Sequence, residues 1–563
     1  MAQIRIALAQ VNPTVGDIAG NSDIAFSAAQ DAAAAGAQLL ALPEMLIPGY
    51  PIEDLALRAS FSKACMTATE ELAERLQDAG LGELAVVVGT LESSENTNTP
   101  LGTPRNEPRN AAWVLQHGAV QAKYAKHHLP NYGVFDEYRY FIPGQESCTI
   151  EVAGAKVALA ICEDLWQSGG PVAEARNSNA DLLLVINGSP FELAKNDERL
   201  DLCARRAAEA DCLLAYVNLV GGQDELVFDG DSMVVSPAGV ALARAESFTP
   251  ALLVADLDTD QNTASVAESG TGSATTAPDL AHPTAAIYQA LTIGLRDYVT
   301  KNGFQSVVLG LSGGIDSALV AAIARDAIGG ENVLGISMPS KYSSRHSRED
   351  AQDLAARLGL AFRTVAIEPM LTAFHEVMDL SGLAEENLQA RVRGVTLMAL
   401  SNAEGHLVLA TGNNTEIAVG YSTIYGDAVG GFAPIKDVSK TQVWALARWR
   451  NAQAAANGEV EPIPDSSITK PPSAELRPGQ VDTDSLPEYD LLDRVLDAYV
   501  AQDQDADALV AQGFDAKLVQ RIIAMTDRAE YKRRQYPPGT KISLKAFGRD
   551  RRLPITNQWR LDV

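Results

Sequence analysis

Apolar runs of strand length recur along the first part of the chain: IRIALAQV, AQLLALPE, LAVVVGTL, KVALAICED, DLLLVING and CLLAYVNL. Between some of them lie stretches whose apolar residues return with helical spacing, DIAFSAAQDAAAAG and DERLDLCARRAAEA. Strands alternating with helices predict an α/β domain over residues 1–256. The periodicity then stops. DLDTDQNTASVAESGTGSATTAPDLAHP is rich in Ser, Thr, Ala and Gly, and residues 257–284 read as a linker. Next, AAIYQALTIGLRDYVTKNG reads as an amphipathic helix. VVLGL, ALVAAIARDAI, NVLGISMP, SREDAQDLAARLG and FRTVAI follow as strand, helix, strand, helix, strand. That order predicts a doubly wound parallel-sheet domain over 285–563. A second soft stretch, NGEVEPIPDSSITKPPSAELRPGQVDTDSLPEYD, is expected to carry loops. No internal repeat is visible, so the two halves read as different α/β domains.

Size agrees with this division, since 563 residues exceed what one core accommodates. No apolar run approaches the ~18 residues of a membrane span. The start, MAQIRIALAQVNPT, alternates like a strand, and no secretory leader is expected. A net charge of −27 argues against a protein that coats nucleic acid. One local exception stands near the C-terminus, where Lys532, Arg533, Arg534, Lys541, Lys545, Arg549, Arg551 and Arg552 cluster. This cluster reads equally as a solvated tail or as a clamp for the phosphates of a small ligand. The five cysteines, Cys65, Cys148, Cys162, Cys203 and Cys212, show neither CxxC nor paired spacing. A disulfide frame or zinc site is not expected, and a reducing cytoplasm suits them.

Val307 to Leu319 reads VVLGLSGGIDSAL. A strand that feeds a Gly-rich turn and a helix N-terminus is an anion site, because backbone N–H groups and the helix dipole both favour negative charge. Gly313 and Gly314 permit close approach of a phosphate. Ser312 and Ser317 add hydroxyl donors. Asp316 would repel a bare phosphate, and a Mg²⁺ between them resolves the conflict. The Gly-Lys-Ser/Thr ending of the common P-loop is absent. SGGIDS after a β run resembles the pyrophosphate-binding loop of the N-type ATP pyrophosphatases. Those enzymes cleave ATP between the α- and β-phosphates, adenylate a carbonyl oxygen and let an amine displace AMP. The resemblance implies that Gly310, Leu311, Ser312, Gly313, Gly314, Ile315, Asp316 and Ser317 hold ATP, with Asp316 toward Mg²⁺.

Further motifs follow in order: ENLQARVRG with Asn387, Arg391 and Arg393, then VLATGNNTEIAVGYSTIYGD, APIKDVSKTQV, KPPSAEL and EYKRRQYPPG. This series resembles the NAD synthetases over most of 285–555. The resemblance implies that Thr411, Lys440 and Ser473 contact ATP, and that Asn387 and Lys532 hold deamido-NAD. Glu416 is implied for either Mg²⁺ or the dinucleotide. Taken singly, Thr411 and Asn413 are also turn-formers after LVLA, and Glu416 and Lys440 are also ordinary surface residues. Two positions depart from the short, ammonia-dependent synthetases, which often carry Lys before Tyr-Gly-Asp and Pro-Thr-Ala near ATP. This chain has Ile424 and Pro472-Ser473-Ala474.

Ammonia is scarce at neutral pH, and the first domain holds parts that could release it from an amide. Glu44 lies in LLALPEMLIPGY, Lys126 in YAKHHLPNYGVFDEYRYF and Cys162 in VALAICEDLW. A thiolate attacks amide carbonyls, a carboxylate moves its proton and a lysine stabilises the oxyanion. In this order and context the three resemble the nitrilase superfamily over about residues 3–256. ICEDLW and LPNYGVFDE resemble its glutaminase branch fused to NAD synthetases. That resemblance implies an α-β-β-α sandwich, with Glu44, Lys126 and Cys162 catalytic. It implies that Tyr132, Ser189 and Lys195 bind glutamine, helped by Tyr50, Glu137 and Trp166. Glu137 either orients Lys126 or meets the substrate amine. His127 and His128 read as structural, and the other four cysteines as core.

Together the two resemblances imply an ATP-dependent ligase taking L-glutamine, deamido-NAD and ATP, with Mg²⁺. Ammonia would pass internally from the first site to the second. A cytoplasmic homo-oligomer is implied, without nucleic acid or membrane partners. Two other readings stand beside it: a ligase for a different carboxylic acid, and a silent docking module in front of a synthetase that uses free ammonia.

Overall fold

The computed structural model describes residues 3–94, 102–193, 195–267, 270, 274–275 and 283–559, with the side chains of Asn196, Ala274 and Thr275 left aside. The chain divides into two compact units, one of residues 1–223 and 227–280, the other of 224–226 and 281–563.

The first unit is built on two seven-stranded sheets. The first runs Thr263–Val266, Ala251–Asp258, Gln3–Gln10, Leu39–Ala41, Ala85–Glu92, Arg109–Gln116, Ala119–Ala125. The second runs Ala274–Thr275, Ala241–Ala245, Met233–Val235, Leu213–Asn218, Leu182–Asn187, Ala155–Ile161, Thr149–Val152. In each, a parallel centre is flanked by antiparallel strands. The side-chain period of two explains the layering. Leu182, Leu184 and Ile186 enter a core shared with Ile4, Ile6 and Leu8 of the other sheet. Their neighbours Leu183 and Val185 face outward onto Val172, Leu202 and Cys203 of helices Gly170–Asn177 and Lys195–Ala210. Helices Ile18–Ala34 and Ala59–Asp78 cover the first sheet. The result is the α-β-β-α sandwich.

In the second unit four parallel strands lie in the order Ala361–Thr364, Val333–Ser337, Val307–Gly310, Leu407–Val408. Helices Pro283–Lys301, Ile315–Ile328 and Lys440–Ala456 pack together on one side. Helices Glu368–Val377 and Leu383–Glu404 supply the apolar cluster on the other. The strand order reverses between Val307–Gly310 and Leu407–Val408, which opens a crevice at their carboxyl ends.

Two soft stretches carry more structure than their composition predicts. Residues 257–284, read as linker, contain the edge strands Thr263–Val266 and Ala274–Thr275. Residues 457–490 contain helix Asp465–Thr469 and bury Ile463, Ser467 and Asp482. Their anchors are a few apolar or hydrogen-bonding residues among many polar ones, too sparse to form a period.

Candidate active sites

In the first unit, strand Ala155–Ile161 ends in a tight 3-10 turn, Cys162–Leu165. Cys162 opens that turn at φ 43°, in the left-handed region that L-residues seldom adopt. Asp164 stabilises the bend. Its carboxylate accepts from the Ile161 amide at 2.9 Å, the Tyr124 hydroxyl at 2.6 Å and the amides of His127 at 3.2 Å and His128 at 2.8 Å. One buried carboxylate thus joins the cysteine turn to the segment that follows Lys126.

The Lys126 ammonium donates to Glu44 Oε1 at 2.8 Å and to Glu137 Oε2 at 2.9 Å, and all three side chains are buried. Glu44 also accepts from Asn110 Nδ2 and from the Gly188 amide, each at 2.6 Å. The Tyr50 hydroxyl donates to Glu137 at 2.9 Å. Of the two expectations for Glu137, contact with Lys126 is the one this geometry contains. Burial works against the Lys126 charge, but Glu137 and Glu44 hold it well above its usual range. Burial pushes Glu137 up to about 7, with Lys126 opposing. Burial, then the Glu44 carboxylate, keeps the Cys162 thiol far above its normal range, while Lys126 pulls it down. The resting cysteine is therefore a thiol that needs a base as it attacks.

The six residues read as glutamine contacts divide. Tyr50 and Glu137 belong to this buried network. Tyr132 is 54% exposed, and its hydroxyl donates to Glu163 at 2.7 Å, directly after the cysteine. Ser189 is buried one residue after Gly188, and its hydroxyl accepts from Arg199 Nε at 3.3 Å. Lys195 lies 3.4 Å from Glu192. Trp166 packs against the outer apolar cluster. Asn110, Asp164, Gly188 and Arg199 were not singled out by sequence. The ring of His128 packs edge-on against His127. Cys65, Cys203 and Cys212 are buried, and burial holds each thiol at about 12.

In the second unit, Gly310 ends its strand at the crevice and Ile315 starts the following helix. Gly313 has φ +78°, and a Cβ there would run into the Ser347 backbone. The loop is held by its own serines: Ser312 and Ser317 hydroxyls lie 3.1 Å apart, and the Gly314 amide donates to Ser312 Oγ at 3.1 Å. Ser467 donates to the Gly313 carbonyl at 3.1 Å. From the loop, Asp316 accepts from Lys440 Nζ at 2.6 Å and from Asn413 Nδ2 at 2.8 Å. Lys440 also reaches Glu416 at 3.3 Å. The Asn413 and Glu416 side chains cap helix Asn414–Val419 reciprocally. Burial pushes Glu416 up to about 8, against Lys440. Asp316, Asn413, Glu416 and Lys440 therefore come together, and Thr411 lies two residues before Asn413, in the segment that follows strand Leu407–Val408.

Other residues lie apart from this cluster. Asn387 accepts from the Thr423 hydroxyl at 2.8 Å. Lys532 donates to the carbonyls of Gly420 at 2.7 Å and Ser422 at 2.6 Å, and burial lowers its pKa. Ser473 is exposed and folds back on its own loop, accepting from the Glu475 amide at 3.1 Å. The basic cluster is largely not a solvated tail: Arg533, Lys541 and Arg551 are buried, and Arg533 pairs with Glu530 at 3.0 Å.

The chain matches the carbon-nitrogen hydrolase family over residues 5–265 and the NAD synthase family over 287–536. A glutamine-dependent NAD(+) synthetase from Acinetobacter baylyi is 42% identical, with all of both chains covered. One from Thermotoga maritima is 41% identical at the same coverage. A solved glutamine-dependent NAD+ synthetase from Acinetobacter baumannii, in complex with adenosine diphosphate, is 40% identical over all of both chains, with a TM-score of 0.76.

Proposed function

The chain belongs to the glutamine-dependent NAD(+) synthetases, and from that premise we propose how its residues divide the work. Residues 1–256 hydrolyse glutamine and residues 285–563 amidate deamido-NAD at the expense of ATP. The observation that carries the first half is the buried lysine shared by two carboxylates beside a cysteine at a sharp turn. Cys162 Sγ attacks the glutamine carboxamide carbon while Glu44 takes the thiol proton. The Lys126 ammonium faces the oxyanion, and Glu44 passes its proton to the departing ammonia. Water then attacks the thioester, with Glu44 as base, and releases glutamate and the free thiol. Glu137 and Tyr50 hold Lys126 in place. Tyr132, Ser189, Lys195 and Trp166 bind the rest of glutamine.

In the second half, the amides and hydroxyls from Gly310 to Ser317 hold the phosphates of ATP, with Thr411, Lys440 and Ser473 as further contacts. Asn387 and Lys532 hold deamido-NAD. The substrate carboxylate attacks the α-phosphorus and pyrophosphate leaves. Ammonia displaces AMP from the acyl-adenylate, giving NAD. Asp316 and Glu416 suit a Mg²⁺, because one lysine offsets two carboxylates and the proton affinity of Glu416 is raised. Among the described residues no group of three metal ligands occurs, so phosphates and water would complete the shell. Such an ion would neutralise phosphate charge. The unpaired cysteines suit a reducing cytoplasm, and the enzyme acts as a homo-oligomer.

The test is NAD formation with glutamine or ammonium as nitrogen donor. Cys162→Ala is expected to lose glutamine use and keep ammonium use. Glutamine-driven synthesis by that variant would remove Cys162 from its role.

A further inference from the structure

Helix Leu383–Glu404 runs beside the strands Val307–Gly310 and Leu407–Val408. The 420s loop occupies part of its surface: Thr423 bonds Asn387, and Arg391 Nε donates to the Ile424 carbonyl at 3.3 Å. Arg393 turns elsewhere. Its Nε donates to the Met338 carbonyl at 3.1 Å, just past strand Val333–Ser337. Met338 in turn packs over Gly310, where the phosphate loop begins. Arg393 is half-buried, has no ion pair within 4 Å among the described residues, and makes through its side chain no hydrogen bond there besides that from Nε to Met338.

The nearest acids are committed to other groups. Glu475 accepts from the Ser344 amide at 3.2 Å and the Ser347 hydroxyl at 2.8 Å, and Asp427 accepts from the Thr423 amide at 2.7 Å. Burial outweighs their attraction and lowers the Arg393 pKa to about 10. By contrast, Arg199, Arg244, Arg450 and Arg533 are each paired directly with a carboxylate. A half-buried arginine without a counterion is costly to keep unless something else supplies the charge.

We propose that Arg393 is a further substrate-binding residue of the second unit, its terminal nitrogens receiving an anionic oxygen of a bound substrate. This rests on the ligase reading above, in which two substrates carry such oxygens: ATP through its phosphates, deamido-NAD through its pyrophosphate and carboxylate. Planar donors on an arginine suit either group.

The test uses the full chain with ammonium as donor, so the glutaminase plays no part. Arg393→Gln retains an N–H for the Met338 carbonyl, and Arg393→Lys retains charge without the fork. Both are compared with the native chain for the KM of ATP, the KM of deamido-NAD and the ligand-free thermal midpoint. The expected result for the Gln variant is one KM raised about 10- to 100-fold. The other KM and the midpoint stay unchanged, and the Lys variant falls between. The KM that moves identifies whether ATP or the dinucleotide supplies the oxygen. Both KM values within twofold of native would overturn the assignment. So would a joint shift of both accompanied by a lower midpoint, which marks a structural role. Absence of NAD formation by the native chain with ammonium would instead overturn the ligase reading.

Discussion

Eleven positions separate Lys126 from Glu137, yet the carboxylate of one ends on the ammonium of the other. Nothing in the spacing announces this, because the intervening HHLPNYGVFD forms no regular element that would fix which residues face each other. Glu44, Lys126 and Cys162 were legible as a set because each sits in a recognisable local string. Asn110, Asp164 and Gly188 were not, since each acts through a partner set by tertiary pairing. Glu137 also has a pH consequence. Its folded pKa of about 7 lies above its ordinary 4.5. The folded state then holds a proton that the unfolded chain gives up, so this group stabilises fully below pH 4.5. That contribution is lost as pH rises through 7. Glu137→Gln removes the titration. The thermal midpoint of the native chain relative to this variant is expected to fall from pH 5 to pH 8. A flat difference would mean that Glu137 ionises normally.

At the scale of elements, two glycines set distances that side chains then use. Strand Ala85–Glu92 carries Gly89, and a Cβ there would collide with the Pro43 carbonyl and the Met45 amide. Gly89→Ala therefore pushes on the backbone that bears Glu44. A misplacement of about 1 Å can cost on the order of a hundredfold in rate, so glutamine-driven synthesis is expected to fall at least tenfold. Ammonium-driven synthesis, assayed beside it, is expected to hold. Gly313 is the counterpart in the second unit, with positive φ and the Ser347 backbone against it. Gly313→Ala is expected to abolish NAD formation with both donors. The doubly wound half was easily read from sequence because its strands and helices have clear periods. Thr263–Val266 escaped because a four-residue strand of small and polar residues resembles a linker. Its place is settled by pairing with Ala251–Asp258.

For the whole molecule, two chemistries reside in units that each bury their own core. Their failures are expected to be separable. Lys440→Met should eliminate NAD formation with either nitrogen donor, because it removes the cation between Asp316 and Glu416. The same variant should still be labelled at Cys162 by an electrophilic glutamine analogue, which mass spectrometry would detect. Stability is expected to follow the same division. In the first unit Arg199 Nη1 donates to both carboxylate oxygens of Asp229, at 2.7 and 2.8 Å, in a buried ion pair. Asp229→Ala removes the carboxylate that balances this buried charge, at a cost of about 3–5 kcal/mol. Differential scanning calorimetry would show the first unit melting earlier. The full-length likeness to known relatives agrees with a chain whose two halves work as one enzyme.

Strand Gln3–Gln10 sits well inside its sheet, flanked on one side by Leu39–Ala41 and on the other, across all eight positions, by Ala251–Asp258. During synthesis its second neighbour, which begins at residue 251, emerges about 240 residues after the strand itself. At ~5–20 residues per second the ribosome takes roughly 12 to 50 s to cover that interval. Until then the nascent chain presents IRIALAQ with at least one row of backbone donors and acceptors lacking its folded-state partner. A ribosome stalled shortly before residue 250 would thus hold out an open, apolar edge that invites chaperones or neighbouring chains.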